Sequence, residues 1–420
     1  MKKTIVFLSA LGVLLPSVDG LEFGGMGNVS AGMGGAGVAL SSSPYGVYYN
    51  PALLSADNKT KFGYTVGIQY RQKNIDKLAN VDFTNITSSN ESLESFKDII
   101  TDNNLSMISQ NGIVFQLGSS VIRGEFGVIS LAYFGSVYAS LSVQADPNRM
   151  DLIVKNGSDY EKLTSNTMGG YDFTPTSQAD YEAHSLVYAL EQGNAHKLIT
   201  STFLLSEIPI GYAKTFYLKN SNLNFGIALK LMNGLFSVQD IYLGSTLSQD
   251  HFKNPFSKSA YESSTNFGVD LGMMYEIDFP KFRYLTFGVV AKNVNSPMFK
   301  YSSRNITVKP QYRVGVAYNE RYFTLALDAD ILPNELLNFS YQKQQSQMIG
   351  GGIKFDLEFL DLRAGIMKDI RQDDGLILTA GINILGIFDI ALQSGTRLGE
   401  AKGYKIPKYL DLKVGGSFSF

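Results

Sequence analysis

Residues 266–279 alternate strictly between apolar side chains and polar or small ones. The apolar positions are Phe267, Val269, Leu271, Met273, Tyr275, Ile277 and Phe279. Side chains at a spacing of two share one face of an extended strand, whereas a helix spreads them around its axis. The same period returns along most of the chain, for example at residues 61–71 and 222–235. The sequence therefore predicts an all-β protein.

The alternation predicts fourteen strands. They lie at about 61–71, 111–119, 124–135, 204–217, 222–235, 264–279, 283–294, 307–318, 321–331, 346–358, 359–367, 375–385, 386–394 and 408–420. Most reach the roughly 9–11 residues that a tilted strand needs to cross a bilayer. No apolar run long enough for a membrane helix follows residue 20, and the mean hydropathy of −0.02 fits strands whose two faces average out. The absence of cysteine excludes disulfides and zinc–thiolate sites.

The connections between these strands alternate between short and long. Tight turns are predicted near 121–123, 219–222, 280–282, 319–320, 358–359 and 385–386, with longer loops between them. Up-and-down outer-membrane barrels are built with short periplasmic turns and longer external loops. We therefore predict that residues 61–420 form a 14-stranded antiparallel outer-membrane β-barrel, with helical external loops at about 72–110 and 136–203. A soluble β-sandwich is the alternative, but it requires no such order of loops.

Both ends of the chain carry signals typical of export. Lys2 and Lys3 precede an apolar stretch at 5–15, which predicts a signal peptide over residues 1–20. A membrane-anchoring helix is the alternative, although 11 apolar residues are too few to span a bilayer. The last strand alternates up to Phe418 and Phe420. This ending is similar to the signal that outer-membrane barrels present to their assembly machinery, a predicted partner together with outer-membrane lipid and lipopolysaccharide.

Residues 21–60 are rich in glycine and serine and suit neither a long helix nor a regular strand. The run Gly32–Gly37 formally matches the G-x-G-x-x-G pattern of dinucleotide sites. That motif needs a strand before it and a helix after it, whereas Pro44 and Pro51 interrupt any helix here. We instead predict a compact hatch that folds back into the barrel lumen, because glycine permits tight turns and close packing.

The hatch segment resembles a known family. Residues 30–39 (SAGMGGAGVA) and 48–54 (YYNPALL) are similar to the N-terminus of FadL-type outer-membrane transporters of long-chain fatty acids and aromatic hydrocarbons. TraF-like conjugation proteins and PorV-type secretion barrels open in a similar way. The family's Asn-Pro-Ala hatch motif falls on Asn50, Pro51 and Ala52. The resemblance implies a gating role for these three residues, and we expect the glycines Gly34, Gly35 and Gly37 to share it.

The resemblance implies uptake of a small hydrophobic molecule by movement of the hatch. Apolar stripes at helical spacing on the two longest loops predict a groove that collects such a ligand. Its candidate residues are Phe96, Ile100, Leu186, Leu190, Leu198 and Phe203. The alternative is that these side chains pack on one another and cap the barrel. A structural or protein-binding barrel of secretion or conjugation is the rival function.

The remaining residues give little sign of catalysis. His184, His196 and His251 lack metal-ligand spacing, and no G-x-S-x-G motif occurs. We therefore expect no enzyme activity, no metal and no cofactor. The net charge of −2 gives no attraction to nucleic acid, and a monomer is expected. Lumen-facing charges of both signs, among them Arg71, Lys230 and Asp328, are predicted to pair and to hold the hatch.

Overall fold

The structure, a computed structural model, describes residues 21–57, 59–78, 90–118, 127–166, 170–243, 261–337, 344–357, 359–401 and 403–419. The predicted signal peptide at 1–20, the turn at 121–123, His251 and Phe420 lie outside these residues. The strands are β1 (Lys61–Lys73), β2 (Asn104–Leu117), β3 (Val128–Gln144), β4 (Ile153–Asn156), β5 (Asp159–Ser165), β6 (Tyr171–Thr176), β7 (Lys197–Tyr217), β8 (Ser221–Tyr242), β9 (Glu262–Phe279), β10 (Arg283–Lys292), β11 (Met298–Lys300), β12 (Asn305–Thr307), β13 (Gln311–Asn319), β14 (Phe323–Asp330), β15 (Asn334–Glu335), β16 (Gln345–Ser346), β17 (Met348–Leu357), β18 (Leu360–Asp369), β19 (Ile377–Ile384), β20 (Phe388–Gly395), β21 (Leu398–Ala401), β22 (Tyr404–Pro407) and β23 (Tyr409–Ser419).

The helices are short, and none of them is part of the barrel wall. They are α1 (Asn28–Gly32), α2 (Gly46–Tyr49), α3 (Ile75–Leu78), α4 (Asn90–Thr101), α5 (Gln178–His184) and α6 (Leu186–Gln192), with 3₁₀ turns at Pro51–Ser55 and Pro147–Arg149. Among the described helices, none is long and apolar enough to cross a bilayer.

Fourteen of the described strands form one closed antiparallel barrel. Their order is β1, β2, β3, β7, β8, β9, β10, β13, β14, β17, β18, β19, β20 and β23, and β1 pairs with β23 to complete the ring. Each predicted strand corresponds to one of these, so the predicted fold class is confirmed. Closure leaves no edge strand, which is what a sheet in lipid requires because unpaired backbone groups there find no water.

The two faces of the wall follow the alternation of the sequence. In β9, Phe267 and Leu271 are exposed on the outside, whereas Asp270 is buried inside. Exposed aromatic side chains gather at the end with the tight turns: Phe216, Tyr217, Phe225, Phe279, Phe282, Tyr322, Phe355, Phe359 and Phe388. Such a girdle marks a membrane interface, and the tight turns place it on the periplasmic side. The chain is therefore an outer-membrane β-barrel.

On the external side of the barrel, the strands are longer than predicted, and the loop between β3 and β7 contains a sheet that was not expected. Residues 104–110, 136–144 and 197–203, predicted as loop, belong to β2, β3 and β7 at the external side of the barrel. Between β3 and β7 lies a three-stranded sheet, β4–β5–β6, that the helical stripes did not indicate. Its strands are short and mostly polar, so their pairing depends on contacts with the rest of the loop. The loops at 72–110 and 136–203 are thus shorter than predicted, whereas the helices expected in them are present as α4, α5 and α6.

Candidate functional site: the hatch and the barrel mouth

The segment before β1 fills the barrel lumen. From Leu21 to Ser55 its residues are almost all buried. Glu22 contacts Arg71 near the external end of β1, whereas Ser55 donates a hydrogen bond to Asn224 near the periplasmic end of β8 (3.1 Å). The segment therefore descends through the lumen, in the position expected of a hatch. Short helices, rather than a regular strand or long helix, let it fold within this narrow space.

Asn50 joins the hatch to the wall. Its side chain is fully buried, and Nδ2 donates to the carbonyl oxygens of Val38 (3.0 Å) and Met273 in β9 (3.2 Å). Its Oδ1 accepts from the Ala52 amide at 3.1 Å, so Asn50 also caps the 3₁₀ turn that begins at Pro51. Asparagine is favoured at this capping position, and proline at the next one has no amide proton to leave unsatisfied.

Two glycines let this turn approach the wall. Gly226 in β8 and Gly272 in β9 are register partners that point inward. A Cβ at Gly226 would lie 2.2 Å from the Pro51 carbonyl carbon, and one at Gly272 would lie 2.0 Å from the Asn50 Oδ1. No real Cβ tolerates such distances. These two glycines were not among the predicted site residues, although inward glycines on adjacent strands were a usable signal.

The glycines predicted in the hatch make its turns and expose its amides. Gly34 and Gly35 have φ of +65° and +78°, which side chains rarely adopt. The Gly34 amide donates to the Thr379 hydroxyl at 2.9 Å. The amides of Gly37 and Val38 both donate to the buried Asp328 carboxylate, at 2.7 and 2.9 Å. A carboxylate shared by two backbone amides is a strong attachment of hatch to wall.

Buried ion pairs surround the hatch. Arg71 contacts Glu22 of the hatch (2.9 Å), Asp369 at the end of β18 (3.5 Å) and Asp374 in the loop after β18 (3.1 Å), so it joins the hatch to this part of the wall. Further pairs within the wall are Lys230 with Glu207 and Asp270, Arg313 with Asp330, and Arg363 with Asp389. These charges are paired because an isolated buried ion is very costly. The predicted pairing of Arg71, Lys230 and their neighbours is confirmed.

Cations of the wall also contact aromatic rings of the hatch. The Arg313 guanidinium lies 3.9 Å from the centre of the Phe23 ring, and the Lys292 ammonium lies 3.4 Å from the centre of the Tyr48 ring. Desolvated cation–π contacts of this kind contribute about 2 kcal/mol. A cavity of about 40 Å³, lined in part by Glu22 and Arg71, remains beside the hatch. The cation–π contacts thus join the hatch to β10 and β13.

An apolar layer, here called the mouth cluster, lies above the hatch. Its largest members are Tyr138, Phe203, Phe236, Phe299 and Tyr301, and Leu21 of the hatch reaches it. Phe203 lies 5.7 Å from Phe299 and 6.3 Å from Tyr138, between ring centres. Phe299 comes from a loop outside the wall, the mouth hairpin formed by β11 and β12 (residues 298–307). The hairpin therefore folds inward, and its apolar side chains close the apolar entrance of the lumen.

The remaining loop candidates lie in a separate external cap. Phe96 and Ile100 of α4 and Leu186 and Leu190 of α6 are buried in one cluster with residues of β4 and β5. Leu198 packs partly against the same cluster, whereas Phe203 belongs to the mouth cluster. The structure thus brings the cap residues together as a core of their own. Their role in ligand binding stays a prediction.

Phe418 lies on the seam where the barrel closes. It is the register partner of Phe62, and the two rings stack with centres 6.2 Å apart. Its place at the periplasmic girdle agrees with the predicted part in membrane assembly, which stays a prediction.

The described histidines lie apart. His184 is exposed, and its Nε2 is 3.8 Å from Asp180. His196 is buried, and its Nδ1 accepts from the Asp146 amide at 3.2 Å. Burial lowers the pKa of His196 from 6.5 to about 4, so the ring is neutral at physiological pH. Within the described residues, no group of three histidine, aspartate or glutamate side chains could hold a metal ion.

Comparison with known structures returned transporters and porins. The toluene transporter TbuX of Ralstonia pickettii matches with a TM-score of 0.44 and 12% identity, over 95% of this chain and 98% of that chain. The toluene transporter TodX of Pseudomonas putida matches with a TM-score of 0.43 and 13% identity, over 96% and 99%. A mutant porin of Rh. blastica gives a TM-score of 0.28 at 10% identity, over 86% and 99%. No curated protein sequence matches this chain.

The chain also matches a family model over much of its length. The family model described as "F plasmid transfer operon, TraF, protein" matches residues 47–330. The match begins in the hatch, at the Asn-Pro-Ala turn, and continues through β14. It therefore includes both glycines that receive this turn, and it agrees with the TraF-like relationship that the hatch sequence predicted. Because the match covers more than half of its length, this chain belongs to the TraF family of the F plasmid transfer operon.

Proposed function

We propose that this barrel takes up small hydrophobic molecules, of the fatty acid or aromatic hydrocarbon class, through the mouth cluster. The observation that carries the proposal is the composition of the external lumen. Phe203, Phe236 and Phe299 are at most 1% exposed there, at the entrance of a barrel whose inner wall also carries buried ion pairs. A structural plug has no need of a removable apolar lid. An apolar ligand in the place of the Phe299 ring would form the contacts that the ring makes now. Its burial would contribute a free energy of about 0.8 kcal/mol per CH₂.

The mouth hairpin is the part that moves in this proposal. It is attached to β9 by polar contacts at its rim: the Lys300 amide donates to the Ser264 hydroxyl at 3.1 Å, and the Ser302 amide donates to Glu262 at 2.6 Å. These contacts are exposed to solvent, so water can replace them at small cost. Lifting of the hairpin would remove Phe299 and Ile306 from the lumen and leave an apolar chamber above the hatch.

Passage beyond this chamber requires the hatch to shift. The next layer contains Phe23, Tyr48, Tyr49 and Phe134, which belong to the apolar core between hatch and wall. An apolar ligand would therefore meet aromatic rings along the whole descent. The Asn50 bond to β9 and the Asp328 bonds to Gly37 and Val38 set the resistance to this movement.

A protein-binding barrel of conjugation or secretion is the second candidate. The observation that favours it is the external cap, which has its own core and a three-stranded sheet separate from the barrel. On β6, the outer strand of that sheet, Phe173 is 52% exposed. An exposed edge strand with an apolar side chain suits the addition of a strand from a partner. Under this function the mouth hairpin and the hatch stay closed.

A reversible disulfide distinguishes the two functions, because the natural chain has no cysteine. Ser264→Cys with Lys300→Cys would join the mouth hairpin to β9. Glu400→Cys with Lys405→Cys, register partners in another external hairpin, is the matched control. Uptake of a radiolabelled long-chain fatty acid and of radiolabelled toluene is measured in a deletion strain that carries each variant.

We expect the oxidised mouth variant to lose uptake of at least one probe and to recover it on reduction. The oxidised control variant should transport like the unmodified protein. Equal uptake by the oxidised and reduced mouth variant would overturn the proposed route. If the unmodified protein moves neither probe and its Phe173→Asp variant loses conjugation or secretion, the second candidate is supported instead.

A further inference from the structure

The outer surface of the barrel has an apolar groove across β7, β8, β9 and β10. Its volume is about 590 Å³, which falls within the range of ligand pockets. Two register rows form it: Lys214, Phe225, Met273 and Val289 in one, and Tyr212, Ile227, Leu271 and Ala291 in the next. Val289 and Ala291 are small, and the aromatic side chains at the opposite side are large. The groove is therefore a depression in the lipid-facing wall.

Lys214 is the charged residue of this groove. It lies between the lipid-facing Tyr212 and Phe216 on β7, three residues before the strand ends at Tyr217. Among the residues that the structure describes, none forms a hydrogen bond or an ion pair with its ammonium group. A lysine on the lipid face is unfavourable unless its ammonium group reaches water or an anion at the interface. The position of Lys214 near the tight turns places it at the periplasmic leaflet.

The groove and the lysine together match the two parts of a phospholipid. Acyl chains contact apolar side chains, and a phosphate accepts hydrogen bonds from an ammonium group at the membrane surface. The wall here is also packed from inside, because the Pro51–Ser55 turn lies directly behind Gly226 and Gly272. A preformed depression costs less to occupy than one that must open.

We propose that this groove binds an anionic glycerophospholipid of the periplasmic leaflet, with an acyl chain in the groove and the phosphate on Lys214 Nζ. The site is separate from the proposed path through the lumen, since it lies on the other side of the wall. It does not depend on whether the barrel transports a ligand. Its occupant is recognised by charge at one end and by shape along the groove.

The test uses the full-length barrel in detergent, stripped of lipid and then incubated with equal amounts of dioleoyl phosphatidylglycerol and dioleoyl phosphatidylcholine. Native mass spectrometry counts the bound molecules of each lipid. Lys214→Gln removes the charge, and Ala291→Phe fills the groove. Lys368→Gln and Ala364→Phe are matched controls, because both residues are exposed on the lipid side of β18.

We expect the unmodified protein to retain phosphatidylglycerol in preference, and Lys214→Gln to reduce that preference roughly fivefold. Ala291→Phe should reduce the retention of both lipids, whereas the two control variants should behave like the unmodified protein. An unchanged preference in Lys214→Gln, or an equal loss in Lys368→Gln, would overturn the assignment of the headgroup. Unchanged retention in Ala291→Phe, or a dimer mass in place of lipid, would overturn the groove as a lipid site.

Discussion

Substitution of Gly226 by alanine should undock the hatch without unfolding the barrel. The new Cβ would lie 2.2 Å from the Pro51 carbonyl carbon and 2.3 Å from the Ala52 amide nitrogen. Ordinary contact begins near 3.4 Å, so the hatch backbone must retreat by about 1.2 Å. Both neighbours are backbone atoms of a capped turn, and they cannot rotate away as a flexible side chain would.

The cost has two contributions. Overpacking of this kind costs about 1–3 kcal/mol. The retreat also stretches the Asn50 bond to the Met273 carbonyl, and a hydrogen bond of this type contributes about 1 kcal/mol. A weakening of roughly 2–4 kcal/mol raises the undocked population of the hatch by about thirtyfold or more.

Thiol labelling measures that population. Ser55→Cys places a reporter in the same turn, in a chain without natural cysteine, and Ser55 is only 8% exposed. We expect Gly226→Ala to accelerate labelling by at least tenfold, while heat-modifiable migration in gels shows an intact barrel. Gly135→Ala is the matched control, because its Cβ would meet only Tyr133, at 3.6 Å. Equal labelling rates in the two alanine variants would refute the proposed contact between hatch and wall.

Three further predictions concern the mouth, the hatch and the external cap. Phe299→Ala should raise uptake of apolar probes several-fold, because it removes a fully buried ring worth about 3–5 kcal/mol from the mouth cluster. Phe173→Ala in the exposed cap should leave uptake unchanged, and an equal effect of both variants would contradict the role of the lid. Asp328→Ala should accelerate labelling of Ser55→Cys, since the hatch loses two charge-assisted hydrogen bonds of about 1.5–3 kcal/mol each, and an unchanged rate would show that they do not hold the hatch. The external cap should loosen as the pH falls from 6.5 towards 4: the pKa of His196 is about 4 in the fold and 6.5 in the unfolded chain, so up to about 3 kcal/mol is present above pH 6.5 and is lost on acidification. Limited proteolysis as a function of pH measures this loss of stability. The His196→Asn variant should lose little stability on acidification. If the variant is as sensitive to acid as the unmodified protein, other groups cause the loss.

The strands of the membrane region could be predicted because their alternation reflects the environment directly. Lipid on one side and the lumen on the other select every second residue, as along Phe267–Phe279. Above the membrane this selection ends. Residues 104–110 and 197–203 are strand in the structure but were assigned to loops, and β4–β6 were not predicted. Residues 104–110 and 197–203 pair within the barrel and pack in the mouth cluster, whereas β4 and β5 pack in the external cap. A local pattern in the sequence does not contain such contacts.

The sequence alone determined the fold class, the hatch and its Asn-Pro-Ala turn, because period, glycine content and motif are local properties. Only the tertiary structure decided which wall residues hold the hatch. Gly226 and Gly272 become one receiving surface when the register of β8 and β9 places them side by side. Asp328 meets the Gly37 amide across 291 positions of the chain. Such contacts depend on the closure of the barrel around the segment, and no spacing in the sequence encodes the distance between two residues on opposite sides of a lumen.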